Sequence, residues 1–135
     1  MGQGAVTWSS KKQYIIALSS TEAEYIAQTH AAKEALYLRS FIGEIREKFS
    51  TPLTINCDNQ GAIALSKDNK FHARTKHIDI RYHFIREAVE DAKINVKYVP
   101  TEENPADIFT KPLAKVKFQR FVRLLGLRLI NERGT

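Results

Sequence analysis

The stretch INCDNQGAIAL, residues 55–65, places Asp58 between an apolar run typical of a strand and one typical of a helix. An acid in this position has two ordinary structural uses, which are to end the strand and to cap the helix. At the carboxyl edge of a sheet it has a third use, because a carboxylate there can hold a metal ion. Residues elsewhere in the chain must decide among these uses.

Composition indicates one globular domain. The chain has 135 residues, of which 43% are hydrophobic and 27% are charged, as in a single folded domain. No apolar run reaches the roughly 18 residues that span a bilayer, and the N-terminus lacks a secretory signal. We therefore expect a soluble intracellular protein, cytoplasmic or nuclear, with no membrane partner. The single cysteine, Cys57, excludes an internal disulfide, and its apolar surroundings predict a buried, inert thiol.

The net charge of +6 is concentrated at one end. Residues 1–110 hold 14 basic and 14 acidic side chains, whereas residues 111–135 hold seven basic side chains against Glu132 alone. A basic segment of this kind suits a nucleic-acid backbone. A solvated helix face or tail that keeps the protein soluble explains it equally well.

Hydrophobic periodicity predicts alternating strands and helices. Residues 5–9 and 13–18 are predicted to form one strand or two short ones, and further strands are predicted at 53–57 and 94–99. Helices are predicted at 21–48, 59–66, 75–91, from 104 to Pro112, and 115–125. The order implies an α/β fold with helices packed on a sheet. In such sheets, ligands gather at the carboxyl ends of the strands, where Asp58 lies.

Three acids stand at the boundaries of these elements. Asp58 ends a strand, Glu24 lies in the first turn of the long helix, and Asp107 follows Asn104-Pro105 at another helix start. Each alone is explained by capping or by the helix dipole. Together they would form an oxygen-rich site suited to Mg²⁺. We prefer Glu24 to Glu22, because only Glu24 extends the apolar stripe that begins at Ala27.

Four motifs resemble the ribonuclease H domain of copia-type retrotransposon Pol polyproteins. They are SSTEAEY (19–25), CDNQ (57–60), RTKHIDIRYH (74–83) and ADIFTKPL (106–113). The motifs occur in the family order and cover nearly the whole chain. The resemblance implies a mixed five-stranded sheet flanked by helices. It also implies hydrolysis of the RNA strand of RNA–DNA hybrids during reverse transcription, with four carboxylates around two Mg²⁺ ions.

On this resemblance, Glu24, Asp58 and Asp107 match three of the four catalytic, metal-binding acids. The fourth is an aspartate on the first strand of the family fold, and this sequence has no aspartate before Asp58. We therefore expect a ribonuclease H-like domain that lacks the first two strands, binds one Mg²⁺ or none, and has little or no activity alone. The strand that leads to Asp58 would then have an exposed edge, which predicts low stability, rearrangement, or pairing with an upstream reverse transcriptase region or a second chain.

The basic residues complete the predicted site. Residues 1–113 would form the partial domain and residues 114–135 a basic C-terminal helix and tail. The candidate nucleic-acid contacts are Arg74, Lys76, His77, Lys111 and Lys115. The alternatives to a weak or inactive enzyme are a non-catalytic nucleic-acid-binding protein and a fragment of a larger, active polyprotein.

Overall fold

The computed structural model describes residues 4–46, 49–67 and 83–128, which form two compact units. One unit contains residues 13–99, and the other combines the first 12 residues with those from Pro100 onwards. The described part of the chain is mixed α/β and contains a small parallel sheet and four α-helices. None of its helices is long and apolar enough to cross a membrane.

The unit of residues 13–99 is built on two parallel strands. In chain order its described elements are α1 (Ser20–Ile45), β1 (Leu53–Cys57), α2 (Gln60–Lys67), α3 (Phe84–Glu90) and β2 (Ile94–Tyr98). Leu53 pairs with Ile94, and Cys57 pairs with Tyr98. Beyond the last pair, Val99 N–H donates to the Cys57 carbonyl over 3.0 Å. This bond fixes the backbone immediately before Asp58.

Helices cover one face of this small sheet. Side chains from all three helices and both strands form the buried core, which contains Tyr25, Ile26, Ala32, Cys57, Ala62, Ile63, Ile85, Ala88, Ile94 and Val96. Along β2 the buried Ile94 and Val96 alternate with the exposed Asn95 and Lys97, as expected for a sheet with one covered face. The strands predicted at 53–57 and 94–99 and the helix predicted at 59–66 are therefore confirmed to within one residue.

Helix α1 confirms the predicted long helix but not its predicted buried face. Ala27 and Ala31 are exposed, whereas Tyr25, Ile26, Thr29 and Ala32 are buried. The prediction was wrong because this helix carries apolar residues on more than one side, and their spacing alone does not show which side meets the sheet. Because Ala27 is exposed, the apolar stripe no longer supports the choice of Glu24 over Glu22 as a metal ligand.

The one or two strands predicted near the N-terminus are absent among the described residues 4–19. Side chains still alternate along residues 13–18: Ile15 and Ala17 pack against the core, whereas Tyr14 and Ile16 are exposed. The alternation came from one-sided packing, whereas a strand also needs a hydrogen-bonded neighbour. The reading of these residues as strands was therefore wrong.

The second unit contains two short 3₁₀ helices, Thr101–Glu103 and Pro105–Phe109, and helix α4, Lys115–Leu124. The side chain of Asn104 accepts from Ala106 N–H over 3.3 Å, which confirms the predicted cap. Helix α4 confirms the predicted 115–125 helix and ends at Gly126, whose φ is 70°. The start of the helix predicted at 75–91 lies outside the described residues.

Candidate metal centre

The carboxyl end of β1 brings three possible ligands together. An oxygen of Glu24, an oxygen of Asp58 and the sulfur of Cys57 all lie within 4.8 Å of one another. Glu24 is exposed, Asp58 is half-buried and Cys57 is buried. Two of the three predicted acids therefore share one site in the unit of residues 13–99.

Asp58 is not the cap of α2. The side-chain oxygen of Asn59 accepts from Ala62 N–H over 3.0 Å, and Ile63 N–H donates to the Asn59 carbonyl over 3.1 Å. Because Asn59 performs the capping, the Asp58 carboxylate is not needed for it and points to the group formed with Glu24. Of the two structural roles considered for Asp58, capping the helix is therefore excluded.

Glu22 and Glu24 have separate roles at the start of α1. Ser19 Oγ accepts from Glu22 N–H over 3.1 Å, and the Glu22 carboxylate accepts from Leu18 N–H over 2.6 Å. This reciprocal arrangement is a capping box shifted by one residue, and it buries Glu22. Glu22 therefore caps α1 together with Ser19, and Glu24 is the acid that lies beside Asp58.

A close approach of two helix starts positions this pair. A Cβ atom added to Gly61 would lie 2.9 Å from Thr21 Cγ2 and 3.2 Å from Asn59 Oδ1. Thr21 Oγ1 also donates to Asn59 Oδ1 over 3.5 Å. The absence of a side chain at Gly61 therefore lets α2 begin against Thr21 in the first turn of α1, three residues before Glu24.

Cys57 remains a neutral thiol beside the two carboxylates. Burial raises the pKa of the Cys57 thiol, a backbone hydrogen bond with Asn59 lowers it, and the negative charges of Glu24 and Asp58 raise it. Asn59 N–H donates to Cys57 Sγ over 3.4 Å. Since the thiolate is the form that binds metals, the two carboxylates are the stronger ligands for a hard cation such as Mg²⁺.

Asp107 lies in the second unit and is buried there. Lys111 Nζ lies 3.1 Å from each of its carboxylate oxygens, four residues further along the chain. The Asp107 backbone N–H donates to the Asn104 carbonyl over 3.2 Å. A carboxylate buried to this extent requires a cationic partner, and Lys111 provides one.

Comparison with known proteins gives long matches to three plant polyproteins. The chain is 48% identical over 124 residues to the retrovirus-related Pol polyprotein from transposon TNT 1-94 of Nicotiana tabacum. It is 42% and 40% identical over 127 residues to the corresponding polyproteins from transposons RE2 and RE1 of Arabidopsis thaliana. The chain is homologous to a segment of retrotransposon Pol polyproteins.

The matched segment is a small part of each Pol polyprotein. The alignments cover 92–94% of this chain and 9% of each relative. No protein-family model matches the chain, and no solved structure matches it.

The predicted nucleic-acid contacts fall into two groups. Arg74, Lys76 and His77 lie outside the described residues. Lys111 forms the ion pair with Asp107, and Lys115 is exposed at the start of α4. Cys57 was predicted to be inert, and its place beside Glu24 and Asp58 was not predicted. Its position next to Asp58 at the end of the strand could have indicated that it lies in this group.

Proposed function

We propose that this chain carries part of a ribonuclease H site of a retrotransposon Pol polyprotein, which hydrolyses RNA in RNA–DNA hybrids with Mg²⁺. The observation that supports this most is the pairing of Glu24 and Asp58 at the carboxyl end of a parallel strand. The homology to Pol polyproteins and the four motifs of the resemblance support the same function.

The paired carboxylates fit a hard divalent cation. Oxygens of Glu24 and Asp58 lie within 4.8 Å of one another, and carboxylate oxygens are the ligands with which these two residues would hold a cation such as Mg²⁺. Two adjacent carboxylates also repel each other unless a cation neutralises them. Bound Mg²⁺ supplies Lewis-acid stabilisation of phosphate oxygens and a more acidic water. Glu24 and Asp58 would hold it, while the buried core beneath Cys57 fixes their positions.

The resemblance makes Asp107 the proposed third acid, and Lys111 is its charge partner. The Asp107 side chain is 7% exposed and the Lys111 side chain is 50% exposed. A lysine that reaches inward from solvent can leave a carboxylate when a divalent cation competes for it. The ion pair with Lys111 accounts for the burial of Asp107, and the metal-binding role of this acid stays a prediction.

The fourth acid implied by the resemblance has no counterpart among residues 1–57, which contain no aspartate. We therefore propose that the 135-residue chain has little or no turnover by itself. Loss of one group from an electrostatic site of this kind reduces turnover by about 10²–10³-fold. The Glu24–Asp58 pair would still bind a cation weakly.

Metal binding and hydrolysis test the proposal separately. We expect Mg²⁺ binding, followed by calorimetry, to weaken about tenfold or more in Asp58→Asn and Glu24→Gln, since each removes a charged ligand. The matched control is Glu44→Gln, which removes an exposed acid elsewhere on α1. Equal affinity in all three variants and the parent chain would contradict the assignment of the ligands.

Hydrolysis is tested on a labelled RNA–DNA hybrid, with duplex DNA and duplex RNA as controls. We expect little or no cleavage by the 135-residue chain. If in-frame coding sequence upstream of Met1 supplies an aspartate-containing strand, a polypeptide extended by it is expected to cleave the hybrid, and Asp58→Asn should abolish that cleavage. Mg²⁺-dependent cleavage by the 135-residue chain that Asp58→Asn abolishes would overturn the proposed inactivity, whereas hydrolysis that survives Asp58→Asn would overturn the site.

A further inference from the structure

Two adjoining cavities lie along α4 in the second unit. The first has a volume of about 530 Å³ and is lined by Gly4, Arg123, Gly126, Leu127 and Arg128. The second has a volume of about 540 Å³ and is lined by Lys115, Phe118, Gln119, Val122, Arg123 and Leu127. Arg123 and Leu127 line both, so one ligand can occupy the two cavities together.

The first cavity is suited to a phosphate. Arg123 and Arg128 are both exposed in it, and its described lining contains no acid. Guanidinium groups bind phosphate through paired, charge-assisted hydrogen bonds. A Cβ atom added to Gly4 would lie 3.1 Å from the Leu125 carbonyl, and Ala5 N–H donates to that carbonyl over 2.8 Å. Because Gly4 has no side chain, the backbone at Gly4 and Ala5 can lie against the Leu125 carbonyl and line one side of the first cavity.

The second cavity is suited to a flat apolar group. Phe118 is 48% exposed, and Val122 and Leu127 extend the apolar lining. Phe121, on the same helix, is fully buried and anchors α4 in its unit. Lys115 and Arg123 are two turns apart, and both border the apolar lining. An aromatic side chain between basic residues is the arrangement that proteins use to stack nucleic-acid bases.

We infer that the two cavities bind single-stranded nucleic acid, with a phosphate at Arg123 and Arg128 and a base against Phe118. A nucleotide carries both an anionic group and a flat ring, which match the two adjoining linings. An acidic peptide would match the arginines but would not use the aromatic surface in the same way. The inference does not depend on the proposed function, because it involves none of Glu24, Asp58 and Asp107.

Binding is tested on the 135-residue chain in EDTA, which removes any contribution from the metal centre. The probes are a labelled oligothymidylate of about 12 nucleotides, a length within the range of known single-strand sites, and an abasic strand of the same length. We expect Phe118→Ala to weaken oligothymidylate binding about tenfold and to leave abasic binding unchanged, because only the first has bases to stack. Phe118→Trp should retain the affinity.

The arginine requirement is tested with Arg123→Gln. We expect it to weaken binding of both probes and to reduce the slope of log affinity against log salt by about 0.7, the contribution of one phosphate contact on a single strand. Arg120→Gln is the matched control, since Arg120 is an exposed arginine on α4 that lines neither cavity. Phe109→Ala is the corresponding aromatic control, at a residue that is 63% exposed.

Three results would overturn the inference. The first is an equal effect of Phe118→Ala and Phe109→Ala, with all variants folded by circular dichroism. The second is equal affinity for the abasic and thymidine strands, which would show charge attraction without base contact. The third is displacement of the oligonucleotide by a polyglutamate peptide of the same charge at equal concentration, which would identify an acidic peptide as the better ligand.

Discussion

At the scale of single residues, Cys57 reports on the acids beside it. Burial first, and then the charges of Glu24 and Asp58, raise the pKa of its thiol. A negative charge nearby favours the neutral form of a thiol, so removing that charge lowers the pKa. The reactivity of Cys57 therefore measures the electrostatics of the candidate metal centre in the folded chain.

We predict that alkylation of Cys57 has a pH–rate profile with its midpoint above that of the unfolded chain. Glu24→Gln should move this midpoint to lower pH, because the thiolate is the reactive species and loses a repulsive neighbour. Iodoacetamide labelling followed by mass spectrometry measures the rates. Glu44→Gln should leave the midpoint in place; an equal shift in that variant would show that Glu24 does not act on the thiol.

Residues at the site also show how far the sequence could predict it. The sequence predicted Asp58 at a strand end and paired it with Glu24, and the two acids do lie together. The reason offered for Glu24 was wrong, because the alanine stripe that begins at Ala27 is exposed. The possibility that Asp58 caps α2 was wrong, because Asn59 is the residue that accepts from Ala62 N–H; both residue types are good caps, and the sequence alone does not show which one is used.

At the scale of secondary-structure elements, the contact between α1 and α2 depends on Gly61. We predict that Gly61→Ala destabilises the chain, because the added methyl group would meet Thr21 Cγ2 at 2.9 Å. In a Thr21→Ala background the same substitution should cost less, because the contact with Thr21 is gone and alanine favours a helix by up to about 1 kcal/mol, while the 3.2 Å approach to Asn59 Oδ1 remains. Urea unfolding of the four variants gives a coupling energy, which we expect to be about 1 kcal/mol.

Gly43 provides the matched control for this cycle. It lies within α1, and a Cβ atom added there would meet no atom within 4 Å. Gly43→Ala should therefore stabilise the chain by about 1 kcal/mol or less. Independent effects of the substitutions at Gly61 and Thr21 would show that the two helix starts do not constrain each other.

Elements whose sequence signals are local were predicted correctly, whereas those that depend on a distant partner were not. Strands β1 and β2 and helices α2 and α4 were predicted from alternation, capping and breaking residues, which are local. The Asn104 cap was predicted for the same reason, although the short helix after it is 3₁₀. Residues 13–18 show a strand-like alternation, but strand formation also requires a paired neighbour, and no local pattern predicts one.

At the scale of the whole molecule, residues 13–18, which do not pair as a strand, leave an apolar surface exposed. Tyr14, Ile16 and Leu18 are 99%, 85% and 75% exposed on one side of it, while Ile15 and Ala17 pack against the core on the other. Gln13 donates to the Ala23 carbonyl over 3.0 Å and so attaches the segment to α1. Adjacent exposed apolar side chains of this kind favour association with another surface.

We predict that the chain self-associates as its concentration rises and that Ile16→Lys suppresses this association. The substitution places a charge in the middle of the apolar row, which disfavours contact between two such segments. Sedimentation velocity over a range of concentrations measures the effect, and circular dichroism verifies that the fold is retained. Because Ile16 is 85% exposed, its replacement should cost about 0.5 kcal/mol of stability or less.

Tyr37→Lys distinguishes this row from the general effect of added charge. Tyr37 is an exposed aromatic residue on α1, 67% accessible, and its replacement changes the net charge by the same amount. If Tyr37→Lys suppressed association as strongly as Ile16→Lys, overall charge repulsion would be the cause. A specific effect at Ile16 would instead assign the association to residues 14–18, the segment whose sequence alternates as a strand does.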